Sequence, residues 1–231
     1  MLIDLQGANF SLLSTIDTSS LINYVTKQCN TFFPDSYEIR PKYLKDAVFM
    51  AVDRLYTCFS KIRAPYFSKD GSPFFNYLHG DHYSMFLYLL SNTVYKHAEN
   101  EFLASKLFLL NKALFGIDAF YAVELPVVFL FVHPIGTVLG KANYDEFLVV
   151  YQGVTVGATT DLIYPSFSPS TILYSNSSII GNCNVGSNFI LGAKASILNT
   201  NIDNNRMVVG NFPSHRILEN KSNLIHKYFK L

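Results

Sequence analysis

A six-residue repeat in the second half of the chain is the feature that most constrains its fold. A large apolar residue recurs at every sixth position, at Phe167, Leu173, Ile179, Val185, Leu191 and Ile197. Four positions after each comes a mostly small residue, at Thr171, Ser177, Cys183, Phe189, Ala195 and Asn201. This pattern is typical of a chain wound into stacked triangular coils, because the large side chains fill a narrow core and the small ones lie near a corner.

Length and composition limit the architecture to one or two domains with a sizeable core, since 49% of the 231 residues are hydrophobic. The formal net charge is +1 and the basic residues are scattered, so a nucleic-acid partner is not expected. Cys29, Cys58 and Cys183 lie far apart and show no disulfide or metal-ligand spacing, which indicates a reducing, cytoplasmic location.

Membrane insertion and secretion are also not expected. The N-terminus carries an acidic residue and lacks the basic region of a signal peptide. The most apolar run, residues 125–139, contains Pro126, His133, Pro134 and Gly136. It is shorter than the roughly 20 residues that cross a bilayer, so no transmembrane segment is predicted.

The first half of the chain has helical patterns and the second half has β patterns. Helices are predicted over 18–33 (capped by Thr18-Ser19-Ser20), 41–62, 83–95 and 99–114, with a loop at 69–73. Short β-branched runs and glycines follow Ile117. We therefore expect an α+β chain: an α-helical domain over 1–115, a coil domain over 116–213, and a tail over 214–231 that is helical near its end.

One histidine is a candidate catalytic base. His133 is the only histidine of the coil region before the tail, and an imidazole can take a proton from an alcohol that attacks an activated carbonyl. Asp118, fifteen residues earlier, could orient that imidazole from the adjacent coil. The alternatives are a packed or capping histidine and an aspartate that caps a turn after Gly116. Stacked coils have flat faces, so a neighbouring copy would complete the cleft, which predicts a closed homo-oligomer.

Several segments of the coil region resemble serine acetyltransferases. They are Gly116-Ile-Asp118, His133-Pro-Ile-Gly-Thr-Val-Leu-Gly140, Val149-Val-Tyr-Gln-Gly-Val-Thr-Val-Gly-Ala158, the repeat through Leu191-Gly-Ala193, and Val209-Gly210-Asn-Phe-Pro213. The resemblance covers about residues 116–216. It implies a left-handed parallel β-helix, a homotrimer or dimer of trimers, acetyl-CoA as donor, no metal, and active sites between subunits.

The resemblance also implies roles for individual residues. His133 would be the general base and Asp118 the carboxylate that orients it. Ala158, Ser175 and Ala193 match positions along which the family's pantetheine arm lies. Independently of the resemblance, Lys194 and Arg216 are candidate ligands of the CoA phosphates, and the alternative for both is an ordinary solvated surface residue.

Three departures from the family pattern concern the acceptor. Where the family has an aspartate, a glutamate and a second histidine, this chain has Val132, Lys141 and Tyr164. The loss of carboxylates that would hold an amino group makes free serine a doubtful acceptor. Tyr151 and Tyr164, with Gln152, could instead form a wall suited to a sugar ring, although Tyr164 could equally be ordinary packing.

An aromatic stretch of the first half contains a compact polar cluster, His79-Gly80-Asp81-His82. Asp81 could match a family aspartate that contacts the acceptor, or it could be the N-cap of a helix that begins at Tyr83. A metal site at His79 and His82 would need further ligands, which the sequence does not supply.

The leading hypothesis is an acetyl-CoA-dependent O-acetyltransferase that acts on a small hydroxylated acceptor, such as a sugar or polysaccharide precursor. Serine O-acetylation and amino-sugar N-acetylation are the alternatives within the enzyme class, and a binding or scaffold protein remains open. A metal-dependent hydratase of the γ-carbonic anhydrase kind needs three histidines. The coil region before the tail offers one.

Overall fold

The computed structural model describes residues 2–231. The chain forms two compact units, Met1–Phe115 and Gly116–Leu231, called here the N-terminal unit and the coil unit. Each unit is described by itself.

Four helices form most of the N-terminal unit, as the sequence predicts. They are α1 (Thr18–Phe32), α2 (Pro41–Lys61), α3 (Gly80–His97) and α4 (Glu101–Phe115), with a 3₁₀ turn at Pro65–Phe67. Helix α2 buries the predicted apolar stripe, Leu44, Val48, Ala51, Val52, Leu55 and Phe59. Helix α3 begins three residues before its predicted start and is buried from Asp81 to Val94, so it is the central helix of this unit.

The cap of α1 differs from the prediction. Asp17, not the Thr18-Ser19-Ser20 run, occupies the N-cap position, and its carboxylate accepts a bond of 2.9 Å from the backbone N–H of Ser20. The hydroxyls of Ser19 and Ser20 donate to the same carboxylate at 2.6 Å. These bonds, that of Ser19 first, hold the pKa of Asp17 well below its ordinary value.

A small four-stranded sheet in the N-terminal unit was missed by the prediction of helices alone. Its strands are β1 (Ile3–Gln6), β2 (Ser11–Ser14), β3 (Ser68–Lys69) and β4 (Ser72–Phe75), in the order β1-β2-β4-β3. The predicted loop at 69–73 is a tight hairpin, because Asp70 and Gly71 both have positive φ (53° and 81°) and join β3 to β4. Asp-Gly is a strong signal for such a turn.

Parallel strands in stacked coils form the coil unit. The larger sheet contains β6 (Phe129–Val132), β8 (Leu148–Tyr151), β11 (Thr171–Leu173), β14 (Phe189–Leu191), β16 (Arg206–Val209) and β17 (Arg216–Glu219). A second sheet contains β5 (Asp118–Ala119), β7 (Val138–Leu139), β9 (Thr155–Gly157), β12 (Ser178–Ile180) and β15 (Ser196–Leu198). A third pairs β10 (Ser166–Phe167) with β13 (Asn184–Val185), and a short helix α5 (Ile225–Tyr228) lies near the end of the chain.

The six-residue repeat fills the core of these coils, as predicted. All six large residues of the repeat are 5% exposed or less. Neighbouring strands within each sheet are parallel, except that β17 runs antiparallel to β16. The predicted parallel β-helix after a helical half is therefore confirmed, and the left-handed winding stays a prediction. Among the described residues, no helix is long and apolar enough to cross a membrane.

Candidate active site

His133 lies at an exposed corner of the coil unit, immediately after strand β6. Its φ is 49°, a left-handed conformation that few non-glycine residues adopt, although histidine does so more often than most. Its backbone carbonyl accepts a bond of 2.7 Å from the N–H of Ile135, which closes the turn. His133 is thus exposed at the surface of the coil unit.

The corner of His133 is longer than the same corner of the next coil. Val132 pairs with Tyr151 and Val138 pairs with Thr155. Five residues (133–137) therefore lie opposite three (152–154), an excess of two. Such additional residues widen a turn locally without disturbing the register of the strands on either side.

Stacking in register forms a column of corner residues beside His133. Val150 pairs with Leu173, which pairs with Leu191, so Gln152, Ser175 and Ala193 follow their strands at one corner. Backbone bonds of 2.9 Å from Asn176 N to Gln152 O and from Lys194 N to Ser175 O join these coils. Lys194 is exposed beside Ala193. The predicted residues Ser175, Ala193 and Lys194 are therefore neighbours on one edge.

Two other predicted cofactor residues lie elsewhere in the coil unit. Ala158 follows β9 at the next corner, since Gly157 pairs with Ile180 on the second sheet. Arg216 is exposed on β17, opposite Val209 at the last coil. Neither residue belongs to the column that begins at His133.

Asp118 is placed in the coil that precedes His133. It begins β5, pairs with Val138, and donates its backbone N–H to the carbonyl of Thr137 at 2.8 Å. The carbonyl of Gly116 accepts from the N–H of Gly136 at 3.0 Å. A Cβ on Gly116 would lie 3.2 Å from that nitrogen, and its φ of 64° also favours glycine. The spacing of fifteen residues thus places a half-buried carboxylate one coil away from the histidine corner.

A cluster of three tyrosines near the corner of His133 was not predicted from the sequence. The hydroxyl of Tyr228 in α5 lies 2.9 Å from that of Tyr151 and 3.3 Å from that of Tyr174. Burial, followed by these two hydrogen bonds, raises the pKa of the Tyr228 phenol far above its ordinary value. The sequence signals Tyr151 and Tyr174 through their matching places in successive coils, but no local pattern points to Tyr228.

Gln152 and Tyr164 are packed in different ways. The Oε1 atom of Gln152 is buried and has no hydrogen-bond partner among the described residues 2–231. The ring of Tyr164 lies against Gly140, where an added Cβ would meet its Cε1 at 2.8 Å. This contact favours the packing alternative for Tyr164.

In the N-terminal unit, Asp81 is 3% exposed in the first turn of α3, and His79 occupies the N-cap position. The alternative of Asp81 as the N-cap is therefore wrong. The rings of His79 and His82 are 4.3 Å apart. Burial, helped by His79, lowers the pKa of His82 to about 3. Within residues 2–231, no three histidine, cysteine or acidic side chains converge as metal ligands would.

Solved structures of serine acetyltransferases share this fold. The enzyme from Neisseria gonorrhoeae is 18% identical with a TM-score of 0.66, over 89% of this chain and 84% of that one. The enzyme from Vibrio cholerae is 15% identical with a TM-score of 0.67, over 90% and 82%. The enzyme from Brucella abortus in complex with coenzyme A is 16% identical with a TM-score of 0.64, over 87% and 81%.

Comparisons of the sequence alone find no match. No protein-family model matches the chain, and no curated protein is similar to it in sequence. At identities below 20%, the structural likeness concerns the fold. This chain therefore has the fold of the serine acetyltransferases, with helices followed by a parallel β-helix.

Proposed function

We propose that the protein is an acetyl-CoA-dependent O-acetyltransferase of a small hydroxylated acceptor. The observation on which this rests is the exposed imidazole of His133 at a coil corner, with Asp118 one coil away. The shared fold supports it, because the similar structures are serine acetyltransferases and one was solved with coenzyme A.

The proposed reaction is direct acetyl transfer without a covalent enzyme intermediate. His133 takes the proton of the acceptor hydroxyl as its oxygen attacks the thioester carbonyl carbon. The tetrahedral intermediate then collapses, the C–S bond breaks, and the imidazolium returns its proton to the leaving thiolate. The products are an acetyl ester and free CoA. Asp118 orients the imidazole and stabilises its charged form.

The column of corner residues offers acetyl-CoA, the acetyl donor, a binding surface beside His133. Adjacent coils stack about 4.8 Å apart, so the three steps from His133 to Ala193 span about 14 Å. The small side chains of Ser175 and Ala193 leave the backbone accessible to an extended pantetheine arm. Lys194, at the far end, offers one positive charge to a phosphate group.

The acceptor is proposed to be a sugar or a polysaccharide precursor. Val132 and Lys141 stand where serine acetyltransferases carry acidic residues, so the ammonium of free serine lacks its partners here. Gln152 and Tyr151 offer neutral hydrogen-bonding groups, which suit hydroxyls. Serine itself is the second candidate, because the solved structures of similar fold are those of serine acetyltransferases.

We further propose a homotrimer in the cytoplasm, with each site completed by a neighbouring copy. An exposed corner on a narrow solenoid does not enclose an acceptor, so a second surface is needed. Cys29, Cys58 and Cys183 are free and buried, as in proteins of reducing compartments. Light scattering should give three times the chain mass of 26.1 kDa, or six times for a dimer of trimers. A fully active monomer would contradict the shared site.

The catalytic test compares His133→Ala with the matched control His97→Ala, which changes an exposed histidine of the N-terminal unit. Acetyl-CoA consumption is screened with serine, simple sugars and nucleotide sugars. The His133 variant should lose about 10²- to 10⁴-fold in turnover with every acceptor that the wild type uses, because a general base contributes that much. Its CoA affinity should stay unchanged in calorimetry. Full activity of His133→Ala would remove the general-base role.

A further inference from the structure

We propose that Tyr228, in the C-terminal tail, is a positioning residue that holds Tyr151 and Tyr174 beside the corner of His133. The inference rests on the proposed acetyl transfer and assigns a role to a part of the chain outside the six-residue repeat. It follows from how the tail is attached, from the arrangement of the three hydroxyls, and from the place of Tyr151 in the stack.

The tail is fixed to the coil unit at both ends. At one end Asn220, 5% exposed, donates from Nδ2 to the backbone carbonyl of Asn188 at 3.0 Å. At the other end Phe229 is fully buried, and its ring lies 5.6 Å from that of Phe147. Ile225, between them, is 4% exposed. We call residues 220–229 the strap.

Tyr228 is the central member of the hydroxyl cluster. It contacts both other hydroxyls, while the rings of Tyr151 and Tyr174 lie 5.1 Å apart and the ring of Tyr228 meets that of Tyr151 edge-on. The three phenols carry three hydroxyl protons, and the two hydrogen bonds within the cluster use two of them. One hydroxyl proton of the cluster therefore remains available to another acceptor atom.

This cluster adjoins the proposed catalytic corner through the sheet register. Tyr151 pairs with Val132, the residue before His133, and it precedes Gln152, whose Oε1 is a buried acceptor without a partner. The spare hydroxyl proton of the cluster is thus an uncharged donor close in the strand register to the histidine corner. A hydroxyl group of the acceptor can use it, because a hydroxyl oxygen accepts hydrogen bonds. Tyr228 fixes the rotation of the phenols that supply the donor.

Removing one atom from the strap tests this role. In Tyr228→Phe the ring and its packing remain, but Tyr151 and Tyr174 lose their shared partner. We expect the KM of the acceptor to rise about three- to tenfold, the cost of a neutral hydrogen bond. The KM of acetyl-CoA should stay unchanged. Tyr151→Phe should give a similar rise, and the double variant should be little worse than either single one.

The matched control is Tyr43→Phe, which removes the hydroxyl of an exposed tyrosine in α2 and should leave all constants unchanged. Thermal unfolding of each variant separates stability from positioning. Lower stability of Tyr228→Phe with an unchanged acceptor KM would assign the strap a structural role only and overturn the inference. If Tyr228→Phe fails to fold, Tyr174→Phe, which removes the longer 3.3 Å contact, gives the same test. A wild-type protein that transfers no acetyl group to any acceptor would overturn the proposed function and this inference together.

Discussion

Truncation of one repeat residue and of its neighbour tests the inward-facing register of the coil. Ile179 and Ile180 are adjacent in β12 and identical in chemistry, but they point in opposite directions. Ile179 is fully buried and pairs with Val156 and Ile197, which are also buried. Ile180 is half-buried on the outer side of the strand. Each residue is therefore the matched control for the other.

The expected losses in the free energy of unfolding differ by a factor of about three between the two variants. Ile179→Ala removes three carbons from the core, worth about 2.4 kcal/mol at about 0.8 kcal/mol for each buried carbon. The cavity that remains in a close-packed interior adds to this, so the free energy of unfolding should fall by about 3–4 kcal/mol. Ile180→Ala loses only part of the same contact area, and we expect a cost of about 1 kcal/mol.

Hydrogen exchange detected by mass spectrometry suits a chain of two compact units, because peptides from residues 116–231 report on the coil unit alone. Urea unfolding of both variants supplies the free energies. Equal destabilisation by the two substitutions, or a larger effect at Ile180, would refute the assignment of Ile179 to the core. Because side chains alternate along a strand, a shift of one residue in register would exchange the two results.

Three further predictions concern the N-terminal unit. Asp17→Ala should lower its free energy of unfolding by about 1 kcal/mol at pH 7 through the lost helix cap. Because the pKa of Asp17 is lowered on folding, the deficit should narrow as the pH falls below 3.8 in urea titrations. The pKa of His82 is lowered from 6.5 to about 3 on folding, so the folded state loses stability as the pH falls from 6.5 toward 3. In His82→Gln the thermal midpoint should therefore depend less on pH over this range. Asp35→Asn should lower the thermal midpoint, since the buried ammonium of Lys106 loses a carboxylate 2.7 Å away, and Lys106→Met in the same chain should restore part of it.

The sequence predicts the coil and its corner well because both depend on short periods. The six-residue spacing fixes which residues point inward, and the fifteen-residue spacing from Asp118 to His133 places them in neighbouring coils. The family resemblance groups Ala158 with Ser175, and the structure places these residues at successive corners. A match of motifs does not reveal such a change of corner.

Contacts between distant residues are beyond this reasoning. Tyr228 meets Tyr151 across 77 positions, and Lys106 meets Asp35 across 71. Neither separation corresponds to the period of a helix, a strand or the coil, so the sequence does not indicate that these residues meet. The N-terminal sheet is a different case, because the turn signal at Asp70-Gly71 was present, but its flanking strands are two and four residues long.

Stacking in register also explains why the chain has a TM-score of 0.66 to the Neisseria gonorrhoeae enzyme at only 18% sequence identity. The strands need only an apolar residue at inward positions such as Leu173 and Ile179, and several residue types satisfy that need. Corner side chains such as Lys194 are exposed, so they contribute little to stability and can vary. Substitution there leaves the fold intact, so the proposed substrate site can change without loss of the scaffold. The proposed roles of His133 and Asp118, together with the departure from the family pattern at Val132, therefore imply a change of acceptor on a constant scaffold.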